Sequence, residues 1–168
     1  LSQQSFLDLF EKGHIERRLE PMLWDPVDQT AIAQAEIEDK ELDSHFSDIR
    51  FGIEGSEETI TISTTRPELI PACVAIFYHP DDERYRHLKG KQAVTPLFGI
   101  KVPILEDDSV EPDKGSGIMM CCTFGDEADI EKWRKHKLEA RIIINKYGKI
   151  NLSPLGKEWD CQEPAKAV

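Results

Sequence analysis

The amino-acid sequence predicts a mainly β protein, with a closed or nearly closed β-barrel as its core and peripheral α-helices around it. Short alternating or apolar segments follow one another at intervals of about 8 to 15 residues, and few segments have helical periodicity. Such a series is typical of barrels. The 168 residues, 39% of them hydrophobic, are enough to bury one core, so we expect residues 1–168 to form a single domain.

The N-terminal part is predicted to contain one helix and one half-exposed strand. Residues 2–12 carry an apolar stripe, begin with a serine that can cap a helix, and are followed by Gly13, which can end it. Residues 17–24 are expected to be extended and residues 25–28 to form a turn. Over 31–37, apolar residues alternate with polar ones, which is the pattern of a strand with one exposed face.

The later elements follow from runs of β-branched and aromatic residues bounded by glycine and proline. We expect strands at 51–53 and 59–63 around a turn at 55–56, a buried strand at 72–78, a short helix at 79–87 ended at Gly90, a hairpin over 94–104, a buried strand at 118–123, a helix at 126–138 and a final hairpin over 141–152. Residues 1–25 and 153–168 contain little core pattern. They are expected to be connecting arms of a domain taken from a longer protein.

Charge and composition exclude several classes of function. The net charge is −11 and the pI about 4.9. Since proteins that follow a nucleic-acid backbone are usually basic, any contact with nucleic acid is expected to be local or to be made by another part of a longer protein. No apolar run reaches the about 18 to 20 residues of a membrane span, and no signal peptide is present, so we expect a cytoplasmic protein with no membrane partner.

The four cysteines, Cys73, Cys121, Cys122 and Cys161, form no Cys-x-x-Cys pair and have no matching histidine spacing. A zinc site is therefore not expected. A catalytic thiol would need a base and an activating environment that the sequence does not offer. We interpret these cysteines as small buried hydrophobic residues.

The segment Thr64-Thr65-Arg66-Pro67-Glu68 closes an alternating strand. At a barrel mouth, its hydroxyl groups and guanidinium would suit a ligand, because Arg66 can give several hydrogen bonds to phosphate or ribose oxygens. A β-forming threonine pair with Arg66 in a structural salt bridge to Glu68 is an alternative of equal weight.

Gly115-Ser116-Gly117 lets the backbone approach a ligand closely and can present N–H groups to it. An ordinary turn is the alternative interpretation, because the segment lacks the lysine and the length of a P-loop.

Asp126 and Asp129 are spaced i,i+3 in the first turn of a predicted helix, where two carboxylates could hold an ammonium group and orient a water molecule. Asp126 is also a natural N-cap. Capping explains Asp129 less well, because a capping box prefers Glu or Gln at that position. We therefore rank Asp129 above Asp126 as the functional carboxylate.

Several motifs in the same order resemble the editing domain that is inserted into valyl-tRNA synthetase and is shared with the isoleucyl and leucyl enzymes. These motifs are Phe6-Leu7-Asp8-Leu9, Trp24-Asp25-Pro26, residues 30–38, residues 64–68, residues 79–85, Gly115-Ser116-Gly117 and Asp126 with Asp129. The versions at 64–68 and 79–85 favour the valyl branch, in a form that resembles archaeal-type enzymes. No ATP-binding signature of the His-Ile-Gly-His or Lys-Met-Ser-Lys-Ser type is present.

The resemblance implies a synthetase-type editing barrel that hydrolyses the ester of threonine wrongly attached to tRNA(Val), with the remainder of a synthetase and the 3′ CCA end of the tRNA as partners. It implies no metal or other cofactor. Asp129, Asp126 and Thr65 would serve catalysis, with Asp129 on the α-ammonium group. The residues expected to bind the substrate and the tRNA 3′ end are Thr64, Thr65, Arg66, Gly117, Thr123, Asp126 and Asp129.

Three departures from the family pattern bear on specificity. Bacterial-type valyl domains have a lysine and a threonine where this chain has Met120 and Cys122, and many relatives have a threonine where it has Leu69. Thr123 and Asp126 are then the candidates for reading the threonine hydroxyl. The alternative functions are a non-catalytic module that positions the tRNA acceptor end and an editing domain of the isoleucyl or leucyl type.

Overall fold

The computed structural model describes residues 2–17, 19–38, 41, 43–152 and 155. Its main element is a six-stranded sheet with the order β4-β3-β6-β7-β5-β8. The elements in chain order are α1 (Ser2–Glu11), β1 (Trp24–Asp25), β2 (Thr30–Ala31), β3 (Ser47–Ile53), β4 (Thr59–Thr64), β5 (Cys73–Tyr78), β6 (Gln92–Val94), β7 (Lys101–Glu106), β8 (Ile118–Cys122) and α2 (Glu127–His136), with 3-10 turns at Gln34–Glu36, Pro67–Ala72 and Arg86–Leu88.

Strand burial follows the sequence pattern. In β4, Ile60 and Ile62 are buried while Thr59 and Thr61 face solvent. Strand β5 lies inside the sheet, parallel to β7 and antiparallel to β8, and is buried along its whole length because both of its faces are covered. Its alternate residues join two apolar clusters: Ile76 packs inside the barrel and Phe77 on the other face. This confirms the predicted buried strand.

The sheet is nearly closed at the seam between its edge strands, β4 and β8, which contact each other. The hydroxyl of Ser116 accepts a hydrogen bond from the backbone N–H of Ser63 at 3.3 Å and donates one to the carbonyl of Ile118 at 3.0 Å. Gly115 has a φ of +57°, and an added Cβ there would lie 3.0 Å from the Cβ of Ser63. A side chain at this position would therefore press against the seam. The predicted mainly β, barrel-like core with few helices is confirmed.

The predicted strand at 31–37 is wrong. Only Thr30 and Ala31 pair with β1, and Gln34–Glu36 form a 3-10 turn. The Glu36 carboxylate accepts a hydrogen bond from the N–H of Ala33 at 3.0 Å, which favours the turn over a ladder. The alternating apolar residues do not pack against the core here, because this segment is mostly exposed.

The predicted helix at 79–87 is reduced to the 3-10 turn Arg86–Leu88, although Gly90 ends the segment with a φ of +78°. Local side-chain bonds replace helical ones: the Asp82 carboxylate accepts from the N–H of Arg84 at 3.1 Å, and Nδ1 of His79 accepts from the N–H of Asp81 at 3.1 Å.

The C-terminal hairpin exists only as an isolated bridge between Ile144 and Ile150. The Asn145 side chain accepts hydrogen bonds from the N–H groups of Tyr147 and Lys149 and so shapes the turn.

The hairpin predicted over 94–104 is confirmed as β6 and β7, with shifted bounds. The helices predicted at 2–12 and 126–138 are confirmed as α1 and α2.

Cys73, Cys121 and Cys122 are buried and free, which confirms the interpretation of these three as small core residues. Cys161 and the predicted arm 153–168, Leu155 apart, lie outside the described residues. In the predicted arm 1–25, helix α1 has no buried residue. Among the residues described, no helix combines the length and the apolar character needed to cross a membrane.

Candidate active site

A cavity of about 570 Å³ opens between the end of β4, strand β8 and the start of α2. It joins the two segments that the sequence singles out, although these lie about fifty residues apart in the chain. The residues that line it are Phe46, Ile62, Ser63, Thr64, Thr65, Arg66, Leu69, Ser109, Val110, Glu111, Lys114, Gly117, Ile118, Met119, Met120, Cys122, Gly125, Asp126, Ala128, Asp129 and Lys132.

Asp126 fixes the start of α2 as its N-cap. Its Oδ1 accepts a hydrogen bond from the backbone N–H of Asp129 at 2.8 Å, so the predicted capping role is confirmed. The side chain is nevertheless exposed and lines the cavity. It therefore remains available to a ligand on its solvent side.

Asp129 lies in the cavity wall and is only 6% exposed. Its Oδ2 accepts a hydrogen bond from the N–H of Cys122 at 3.1 Å, which ties α2 to β8. Its Oδ1 is buried and has no partner in the described part of the chain. A buried carboxylate oxygen without a hydrogen bond is costly, and such atoms are rare in folded proteins.

The surroundings of Asp129 raise the pKa of its carboxyl group to about 6. Burial is the main cause and the negative charge of Asp126 adds to it, whereas the Cys122 N–H acts in the opposite direction. At neutral pH the carboxylate is ionised but poorly solvated, and a cation would improve its environment.

Thr64, Thr65 and Arg66 all line the cavity, and Arg66 also holds the wall together. The Arg66 guanidinium donates to the carbonyl of Gly125 at 2.7 Å and to the Glu68 carboxylate at 3.5 Å. The structural salt bridge from Arg66 to Glu68 considered from the sequence is therefore present. The hydrogen bond from Arg66 to the Gly125 carbonyl links the end of β4 to the loop before α2. Thr65 is exposed, whereas the Thr64 hydroxyl accepts from the Arg66 N–H at 3.1 Å.

Gly125, which the sequence did not single out, allows the close approach of Asp129. An added Cβ would collide with its Oδ2 and lie 3.4 Å from the Leu69 side chain. Gly117 lines the cavity and has a φ of +76°; a Cβ there would collide with the Pro112 carbonyl and the Arg84 guanidinium. Both glycines are required by packing.

Thr123 does not belong to the set of described residues that line the cavity. Its buried hydroxyl donates to the carbonyl of Arg141 at 3.0 Å and accepts from the Arg141 N–H at 2.8 Å. Because its single proton is donated to Arg141 and the residue does not line the cavity, the structure favours Asp126 over Thr123, whose reading of a substrate hydroxyl stays a prediction. Thr123 fastens the C-terminal segment to the end of β8.

Lys132 was missed from the sequence. It follows Asp129 by three residues on α2, lines the cavity and is only 4% exposed. A lysine in a helix with several other charges gives no signal of burial. The one feature of the sequence that could have indicated its place in the site is its spacing of three residues from Asp129. The described residues contain no cluster of His, Cys, Asp and Glu side chains suited to a metal ion.

Comparison with known proteins identifies the relatives of this chain. It is 57% identical over 155 residues to the valine–tRNA ligase of Wolbachia sp. subsp. Brugia malayi (strain TRS), and 58% identical over 151 residues to that of Rickettsia prowazekii (strain Madrid E). These alignments cover 92% and 90% of the chain. The chain is homologous to a segment of valine–tRNA ligase.

The chain spans only 18% of the length of each of these valine–tRNA ligases. A solved structure, the ternary complex of Agrobacterium radiobacter K84 agnB2 LeuRS with tRNA and LeuAMS, matches 84% of the chain and 27% of that protein with a TM-score of 0.52 and 21% identity. This likeness shows a shared fold. The recognition of the valyl-tRNA synthetase family from the sequence is confirmed, whereas its archaeal-type form stays a prediction. No protein-family model matches.

Proposed function

We propose that this chain removes threonine from mischarged tRNA(Val) by hydrolysing the aminoacyl ester. The observation that carries the proposal is Asp129, a buried carboxylate with an unpartnered Oδ1 in the wall of a cavity, in a chain homologous to a segment of valine–tRNA ligase. An α-ammonium group supplies the charge and the hydrogen-bond donor that Oδ1 lacks.

The need for such an activity follows from the chemistry of valine selection. A pocket shaped for valine cannot strongly reject threonine, which replaces a methyl group by a hydroxyl; the discrimination is known to be only about 10²-fold. A second site that favours the hydroxyl corrects the error, because valine would leave its polar groups without partners.

The cavity offers both surfaces that a threonine side chain needs. Leu69, Met120 and Cys122 provide apolar wall for its methyl group. Thr123 is hydrogen-bonded to Arg141, and among the residues that the sequence singles out, Asp126 and Thr65 are exposed polar groups that line the cavity. We assign the reading of the hydroxyl to Asp126, since its carboxylate lies one helical turn before Asp129.

The terminal adenosine would lie at the outer part of the cavity, where Thr64, Thr65 and Arg66 are found. Arg66 already gives two hydrogen bonds to protein atoms, and its remaining N–H groups are available to ribose or phosphate oxygens. Because the net charge is −11, contact with the tRNA is expected at its 3′ end alone. The remainder of a synthetase would bind the other parts of the tRNA.

Water is the nucleophile in this scheme. Its oxygen adds to the ester carbonyl carbon, the bond from that carbon to the ribose oxygen breaks, and the ribose oxygen takes a proton. The products are free threonine and uncharged tRNA. Asp129 holds the ammonium group and so fixes the ester relative to the attacking water.

The test is a deacylation assay with Thr-, Val- and Ile-tRNA. It is run on the 168-residue chain and on a chimera in which the chain replaces the matching segment of the Rickettsia prowazekii valine–tRNA ligase. We expect rapid loss of threonine and little loss of valine. Hydrolysis of none of the three esters by either protein would refute a deacylase and favour a module that only positions the acceptor end.

A further inference from the structure

Lys132 is a lysine of the cavity wall whose ammonium group has no hydrogen-bond or ion-pair partner among the described residues. The residue as a whole is only 4% exposed and lines the cavity, but its Nζ is not one of the buried atoms that lack a partner, so the ammonium group reaches the open space of the cavity. The neighbouring cations of α2 differ: Arg134 pairs with Glu20, and Lys135 pairs with Asp107 at 2.9 Å. Lys132 therefore differs from Arg134 and Lys135 in having no ion-pair partner among the described residues.

The ammonium group of Lys132 faces the cavity without an anion bonded to it among the described residues. A charge in a partly closed site, where little water surrounds it, gains from an anionic partner. Lys132 helps to hold Asp129 ionised, although its effect on the pKa of that carboxyl is smaller than the opposing effects of burial and Asp126. A negative charge that develops during the reaction would supply the missing partner.

The position of this charge follows from the substrate. In an aminoacyl ester, the carbonyl carbon is bonded to the carbon that bears the ammonium group, so the nitrogen and the carbonyl oxygen lie about 3 Å apart. Residues three apart on a helix have Cβ atoms about 5 to 6 Å apart. An ester held through its ammonium group at Asp129 thus brings its carbonyl oxygen within reach of Lys132.

We propose that Lys132 is a catalytic residue that donates a hydrogen bond to the ester carbonyl oxygen and stabilises the oxyanion. As water adds to the carbonyl carbon, the π electron pair moves onto that oxygen, and Lys132 keeps its proton. When the pair returns, the bond to the ribose oxygen breaks and the proton of the attacking water goes to the ribose. The proposal rests on the deacylase function.

The experiment measures single-turnover deacylation of Thr-tRNA by Lys132→Met, Lys132→Gln and Lys132→Arg variants of the chimera. Loss of one oxyanion donor typically lowers the rate constant about 10²- to 10³-fold. We expect a loss in this range for Met and Gln, a smaller loss for Arg, and an unchanged substrate concentration at half-maximal rate. Lys137→Met, at an exposed lysine that ends the same helix, is the control and should react as the unmodified protein does.

Thermal unfolding separates catalysis from folding. Lys132→Met should unfold at about the same temperature as the unmodified protein, because it keeps an apolar stem and removes no hydrogen bond or ion pair to a described residue. A rate constant within tenfold of the unmodified protein in both neutral variants, or a change only in half-saturation, would overturn the proposal. If the unmodified protein is active and the variants give either of these results, only the proposed role of Lys132 is refuted. If the unmodified protein is inactive, both the deacylase function and the role of Lys132 are refuted.

Discussion

Replacing Asp129 by Asn should stabilise the protein at neutral pH and lower its deacylation activity. The asparagine carbonyl oxygen can still accept the hydrogen bond from the N–H of Cys122, and the side chain keeps its size. The change removes the negative charge and places an NH2 group where the unpartnered Oδ1 lies. Its effect on folding and its effect on catalysis should therefore have opposite signs.

The magnitude follows from the pKa of this carboxyl group, which is raised from 3.8 to about 6 in the folded protein. Since the folded state binds the proton more tightly than the unfolded chain, stability falls as the pH rises from about 4 to about 6 and stays lower above that range. Two pKa units correspond to ~3 kcal/mol. Asp129→Asn should therefore gain up to ~3 kcal/mol at pH 7 and almost nothing at pH 4.

Urea denaturation of both proteins between pH 4 and 8 measures this difference, and deacylation of Thr-tRNA at the same pH values measures activity. Loss of a hydrogen bond to a charged group costs about 1.5 to 3 kcal/mol, so activity should fall at least about tenfold. Asp126→Asn is the matched control for the urea measurement alone, because asparagine also caps helices and Asp126 is exposed. A variant that is less stable than the unmodified protein at pH 7, or a stability difference that does not change with pH, would refute the reasoning.

Three further substitutions test the architecture around the site. Asp126→Ala should lower the free energy of unfolding by ~1 kcal/mol through loss of the N-cap, while Asp126→Asn should not; urea denaturation decides, and equal losses would contradict the capping role. Ser116→Ala should cost ~1–2 kcal/mol and increase hydrogen exchange at the Ser63 amide, because it removes both bonds at the barrel seam; unchanged exchange would count against the seam. Thr123→Val should destabilise by ~1–3 kcal/mol yet leave the ratio of Thr-tRNA to Val-tRNA hydrolysis unchanged, and a changed ratio would return Thr123 to the site.

The sequence predicts those strands whose formation follows from a single feature, the way in which their two faces are buried. A continuous apolar run predicts β5 because both of its faces are covered, and alternation predicts β4 because one face is solvated. At 31–37 the same alternation fails, because a period of two indicates a strand only where a sheet edge is available. Local side-chain bonds, such as that of Asp82 to the Arg84 N–H, likewise outweigh the helical pattern after residue 79.

The candidate site likewise contains residues whose roles the sequence predicts and residues whose roles it does not. Asp126 and Asp129 can be distinguished from the sequence because capping explains one of them and not the other. Burial of Lys132 depends on how α2 meets β8, and the pairing of Thr123 depends on where residue 141 returns to the barrel. Both are contacts of tertiary structure, and no local pattern encodes them.

Binding of a non-hydrolysable substrate analogue tests the role of Asp129 most directly. Calorimetry at pH 7.5 would compare adenosine that carries threonine through a 3′ amide with the same compound lacking the α-amino group, each against the unmodified protein and Asp129→Asn. We expect the unmodified protein to bind the amino compound at least about tenfold more tightly than the other, and the variant to bind both alike. Equal binding of the two compounds by the unmodified protein, or an undiminished preference in the variant, would contradict the assignment of Asp129 to the ammonium group.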